Sequence, residues 1–151
     1  MLEIHFTKPG DMKKIYAFLS LFFFLSIGCS KDFLKSYDRR IVGTWQITDV
    51  YTTGIGGSSA HLPLQSGSFT FNSDGTLRYQ NSSGTSFTGT WNIQKRTVNE
   101  HTYQGLEIYA TSFSTQEVVG ENYDDIDFTA TNHFKARIYE GLHTYVTSFK
   151  R

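Results

Sequence analysis

Cysteine occurs once in the 151 residues, proline twice and methionine twice, and neither sign of charge is in excess. A single cysteine excludes an internal disulfide framework and any multi-cysteine zinc site. Fourteen basic residues balance fourteen acidic ones, with a pI near 7.0. That balance leaves no electrostatic footprint for DNA, RNA or anionic headgroups, so no nucleic-acid partner is expected. The longest apolar run, Ile15 to Ile27, falls short of the ~20 residues a membrane-spanning helix needs. Aromatic side chains are plentiful, at 16% of the chain, and Ser and Thr accompany them. Such a composition suits half-buried pleated surfaces and excludes both a disordered polar chain and a coiled coil.

The apolar run sits in a leader. Lys13 and Lys14 precede it, and Gly28 and the lone Cys29 follow. A basic start, a short apolar stretch and a small-residue end are the parts of a secretory signal. Met1 to Asp11 fits no part of one, so Met12 reads as the start. Leu25-Ser26-Ile27-Gly28-Cys29 resembles the lipobox of a bacterial lipoprotein, although Ser26 stands where that motif has Leu. The resemblance implies cleavage before Cys29, acylation of Cys29 and a membrane partner through its acyl chains, palmitate among them; two or more chains anchor a protein stably. Ser30 after the cysteine resembles outer-membrane sorting, and Lys31-Asp32 resembles surface-directed tethers. The expected organisation is an upstream extension and signal peptide over 1–28, a lipidated tether with a short helix over 29–40, and one folded domain over 41–151.

In the tether, Phe33, Leu34, Tyr37 and Ile41 recur at near-helical spacing. From Ile41 the period becomes two, and Trp45, Ile47 and Tyr51 share one parity of a first strand. Residues 52–68, rich in Gly and Ser, read as a flexible loop. Asn72-Ser73-Asp74-Gly75-Thr76 predicts a three-residue hairpin loop with Gly75 left-handed, pairing Phe71 with Leu77 and Phe69 with Tyr79. Asn81-Ser82-Ser83-Gly84-Thr85 repeats the scheme and pairs Tyr79 with Phe87 and Leu77 with Gly89; Trp91 and Ile93 continue that face. Further strands are expected at 103–113, 125–131, 134–139 and 142–149. Residues 113–124 form a second long connection with a helical turn at 115–119. Glu140-Gly141 leaves two registers open. A two-residue loop turns His143, Tyr145 and Phe149 inward, and a three-residue loop turns Leu142, Thr144 and Val146 inward. The sum is all-β: eight antiparallel strands able to close into an up-and-down barrel, its interior filled or holding one small ligand.

Gly43-Thr44-Trp45 opening the first strand after a short helix resembles the Gly-x-Trp signature of lipocalins. The phrases Phe69 to Thr76 and Gly89-Thr90-Trp91, with Tyr145 and Phe149 near the end, resemble the small lipocalin-like domains of bacterial lipoproteins. That resemblance implies barrel closure by Gly43 and Trp45, a basic residue packed over Trp45 (Lys150, Arg151 or Arg137), and a small hydrophobic or amphipathic ligand. The domain is shorter than a typical lipocalin, which implies a small cavity or none. A Thr-Asp-Tyr-type turn is also missing, Asn122-Tyr123-Asp124 being a loose echo.

Phe69, Phe71, Leu77, Tyr79, Phe87 and Trp91 form the inward patch that lines any apolar pocket; in a collapsed barrel they are its core. Glu121, Asp124, Asp125 and Asp127 lack the Gly-turned loop of a calcium site and read as a solvated face. His61, His101, His133 and His143 are scattered, and no metal or other cofactor is implied. There is no Gly-x-Ser-x-Gly elbow and no inward carboxylate pair, so the chain reads as a non-enzyme. Two functions stand beside each other. One is an envelope lipoprotein binding a small ligand in its barrel; the other is a packed barrel contacting a protein or glycan through the loop at 52–68.

Overall fold

In a computed structural model of the chain, residues 35–58 and 62–151 are described. The leader, Cys29, Phe33, Leu34 and His61 lie outside the described residues. Ser36–Arg151 forms one compact unit. A five-residue helix, α1 (Tyr37–Ile41), is followed by nine strands: β1 (Gly43–Gly54), β2 (Ser68–Phe71), β3 (Thr76–Gln80), β4 (Ser86–Val98), β5 (His101–Thr111), β6 (Val118–Tyr123), β7 (Asp125–Ala130), β8 (His133–Glu140) and β9 (His143–Lys150). They form one antiparallel up-and-down sheet in the order β6-β5-β4-β3-β2-β1-β9-β8-β7. Ile41, which belongs to the helical spacing of the tether and also opens the period-two stretch, closes α1. It is wholly buried, and its carbonyl accepts the Trp45 indole N–H.

Turn chemistry fixes the first meander as the sequence implied. Asn72 and Thr76 close the β2–β3 loop, and Asn81 and Thr85 close the β3–β4 loop. Gly75 and Gly84 lie at φ of 82° and 86°, where a side chain is strained. The register pairs Phe69 with Tyr79, Phe71 with Leu77, Tyr79 with Phe87 and Leu77 with Gly89. In the last hairpin Glu140 pairs with His143 across the two-residue turn Gly141-Leu142. Tyr145 and Phe149 are buried, His143 is half-buried and Leu142 is exposed, while Val146, inward in the three-residue reading, is also buried, on the face of Tyr51.

Two readings of the alternation are corrected. Tyr51 does not share the face of Trp45 and Ile47. The β1–β9 register shifts between Ile47 and Asp49, and the extra residue turns Val50 inward against Thr147 and Tyr51 outward against Val146. Outside, the Tyr51 hydroxyl accepts Lys135 Nζ at 3.2 Å. The second correction concerns residues 113–124. There is no helical turn at 115–119; the chain enters β6, a ninth strand, with Val119 and Tyr123 buried.

β6 and β7 are the two edges of the sheet, yet a single residue, Asp124, separates them in the chain. β6 pairs with β5 and β7 with β8. One bent path is thus shared between two ladders and spans the gap that an eighth strand fills in a regular barrel. Asp124 holds the bend: its N–H donates to Arg137 O at 2.8 Å, its Oδ2 accepts the Tyr139 N–H at 2.8 Å, and Arg96 reaches its Oδ1 at 3.2 Å. The inward faces of all nine strands meet in one core running from Ile41 and Trp45 to Phe149.

Candidate functional site

At the α1 end, Trp45 is fully buried and donates its Nε1–H to Ile41 O at 2.6 Å. Phe134 and Phe128 meet its ring edge-on, with centroids 4.7 and 6.0 Å away. Of the three basic residues considered for the outer side, Arg151 is the one in place, its guanidinium carbon 4.6 Å from the indole centroid. Gly43 lies beside it; a Cβ there would stand 3.5 Å from Arg151 Nη1. Arg137 is instead on the outer wall, pairing with Asp125 at 3.2 Å and Asp127 at 3.7 Å, and Lys150 is exposed.

Phe69, Phe71, Leu77, Tyr79, Phe87 and Trp91 are all buried and all on one inward surface. Phe69 stacks on Tyr79 at 4.4 Å and on Phe71 at 5.8 Å; Tyr79 meets Phe87 at 5.3 Å and Phe71 meets Trp91 at 5.6 Å. Trp91 satisfies its indole N–H on Asn72 O at 3.0 Å. The patch joins the other walls through Phe149, whose ring is 5.8 Å from Phe69, 4.4 Å from Phe134 and 6.3 Å from Tyr123. The barrel floor is therefore packed with rings.

The opposite end, the mouth, is covered by chain rather than by a ladder. The connection after β1 is not wholly the flexible loop its composition implied. Gly54 to Ser58 are exposed, but Leu62 and Leu64 are buried, Leu64 completely, and Leu64 joins the core. Ser66 O accepts the Tyr79 hydroxyl at 2.8 Å, Ser66 Oγ donates to Ser82 at 3.1 Å, and Gln65 Nε2 donates to Leu62 O at 3.1 Å. The spacing Leu62-x-Leu64 was the available signal, hidden among Gly and Ser.

Beneath this lid lies a polar group that the sequence reading missed. Glu121, placed there on a solvated acidic face, pairs with inward Ile108 and turns into the barrel; Asp125 and Asp127 remain on the outer wall. Val119, Glu121 and Tyr123 alternate inward, so the parity of β6 was the signal. Among the described residues, Glu121 Oε2, Tyr123 Oη, Thr147 Oγ1 and Thr52 Oγ1 are buried without a hydrogen-bond partner. Burial pushes the Glu121 carboxyl up to about 7, partly offset by the backbone N–H of Leu64. Tyr123 is raised by burial and then by the charge of Glu121, while the nearby Thr147 hydroxyl lowers it without closing a bond of normal geometry. Tyr79 is likewise raised by burial.

Other constellations stay apart. His133 pairs with Lys150 at one end of β9 and His143 with Glu140 at the other. Among the described residues, no group of three His, Cys, Asp or Glu side chains is disposed to hold a metal ion.

A family model described as a lipocalin-like domain matches residues 41–119. No curated protein and no solved structure matches the chain significantly.

Proposed function

The chain belongs to the lipocalin-like domain family, and from that footing we propose that it is a lipid-anchored lipoprotein of the bacterial envelope whose barrel binds a small hydrophobic or amphipathic molecule. The observation that carries this reading is the mouth: Leu64 is buried over Glu121, whose Oε2 is one of four buried polar atoms on the inward side that have no hydrogen-bond partner among the described residues. Unpaired buried polar groups cost about 1–3 kcal/mol each. A molecule that displaces the loop supplies partners for them, and its apolar part replaces the leucines against Phe69, Tyr79 and Phe87. Phe71, Leu77 and Trp91 lie nearer α1 and act as the floor. The reading is a binding protein rather than an enzyme.

The anchor rests on residues 12–30. Lys13-Lys14, the apolar stretch and Gly28-Cys29 support acylation of Cys29, and Ser30 supports the outer membrane. A packed barrel that meets a protein or glycan through its loop is the second reading, favoured by Ile55, 77% exposed at the loop's start.

Native mass spectrometry of the gently released chain tests the binding half. An added mass lost on denaturation supports it; a clean mass, together with no uptake of a fluorescent hydrophobic probe, removes it. Labelled palmitate tests the anchor: Cys29→Ser is expected to abolish incorporation, and incorporation equal to wild type removes the lipoprotein reading.

A further inference from the structure

We propose that the barrel mouth selects molecules with a hydrogen-bond-donating head, an amine or a hydroxyl, over carboxylates, and that Leu62-Pro63-Leu64 holds the ligand's place until it is displaced. The inference rests on the ligand-binding reading above and assigns the chemistry of that same site.

The lid shows what the site accepts. Leu64 sets a branched apolar side chain into the core and brings its backbone N–H to the Glu121 carboxylate. An apolar group beside a single donor is the pattern of a small amphiphile, here supplied by the chain itself. The lid satisfies the site only in part, because Glu121 Oε2 still has no donor among the described residues. Among the described residues the buried hydroxyls of Tyr123, Thr147 and Thr52 are also unpartnered, and Tyr123 lies near enough to feel the Glu121 charge. Tyr123 is 1% exposed and Thr147 0%, and they come from different walls, β6 and β9. A hydroxyl can give or take a hydrogen bond, whereas an ionised carboxylate only takes. Glu121 Oε2 is thus a buried acceptor that no described donor reaches.

Among the described residues, no lysine or arginine is buried. On the inward side of the rim, His143 is engaged, with Nε2 3.0 Å from Tyr145 Oη and 3.5 Å from Glu140. Where Glu121 is ionised, above about pH 7, a ligand carboxylate would place a second negative charge near it, with no buried lysine or arginine among the described residues to neutralise it. An ammonium or hydroxyl meets an acceptor that is already in position.

The test uses the full chain in nanodiscs with leucine methyls labelled for NMR, titrated with hexylamine, 1-hexanol and hexanoate against empty nanodiscs. Hexylamine and hexanol are expected to bind and to move the Leu62 and Leu64 methyl signals together, with hexanoate about ten-fold weaker or worse. Glu121→Gln, which keeps the side chain's shape, is expected to weaken hexylamine about ten-fold and spare hexanol. Leu64→Ala loosens the lid and is expected to tighten amine and alcohol while keeping their rank over carboxylate. Equal binding of all three probes, or an amine affinity untouched by Glu121→Gln, overturns the head-group assignment and leaves the ligand-binding reading standing. Binding of none of them, to wild type or to Leu64→Ala, overturns both.

Discussion

Arg151 lies over Trp45, its guanidinium carbon 4.6 Å from the indole centroid, and the same guanidinium ties two chain segments together. Nη1 donates to Val42 O at 3.2 Å, while Nε and Nη2 donate to Thr131 O at 3.1 and 2.7 Å. One planar fork thus joins the start of β1 to the β7–β8 turn while capping the ring between them. Arg151→Ala is expected to cost about 1–2 kcal/mol in urea unfolding, from the lost cation–π contact and hydrogen bonds. Arg151→Lys is expected to recover less than half, because an ammonium cannot reach both carbonyls from above the ring.

The Glu121 carboxyl makes stability depend on pH. Its pKa rises from 4.5 to about 7 on folding because burial disfavours the charge. The folded state therefore binds the proton more tightly than the unfolded one. Stability from this group is full below 4.5, falls as pH rises to about 7, and is level beyond it. Glu121→Gln removes that slope. Urea midpoints of variant and wild type are expected to converge near about pH 4, with the variant ahead at about pH 8.

Thr147 is wholly buried, and among the described residues its hydroxyl has no hydrogen bond of normal geometry. Valine has nearly the same shape without the polar atom. Thr147→Val is expected to raise stability by about 1 kcal/mol in chemical denaturation. It is also expected to weaken hexanol binding, since a hydroxyl that serves a ligand is a cost to the empty fold.

Gly89 sits opposite Leu77 on one side and Ala110 on the other. A Cβ added there would collide with the carbonyl oxygen of Tyr109 and press on Ala110 Cα at 2.6 Å. Backbone cannot yield as a flexible side chain does. Gly89→Ala is expected to cost about 1–3 kcal/mol, read as a lowered thermal midpoint.

The legible parts of the fold were those where two local signals coincide. Around Gly75 and Gly84, turn residues and aromatic parity point to the same register, and both hairpins form in it. The bulge before Asp49 leaves no mark in the alternation, so period two alone puts Tyr51 on the wrong face. In β6, Val119, Glu121 and Tyr123 turn inward, and the carboxylate in the middle breaks the apolar pattern that announces a strand. The candidate site was half legible for the same reason. The aromatic wall follows from period two, but its polar members violate the rule that hides charge from the interior. Leu62 and Leu64 escaped because a lid is held by long-range packing, which local composition does not encode.

Asp124 carries a further consequence. Two free edges, each a row of unpaired backbone donors and acceptors, belong to one continuous stretch of chain bent at that residue. Exposed edges are templates for pairing between molecules. Here each is only six residues long, and each turns aside where the other begins. The length of edge open to a neighbouring molecule thus depends on the angle at one aspartate, and a chain that straightened there would offer a single edge of twice the length.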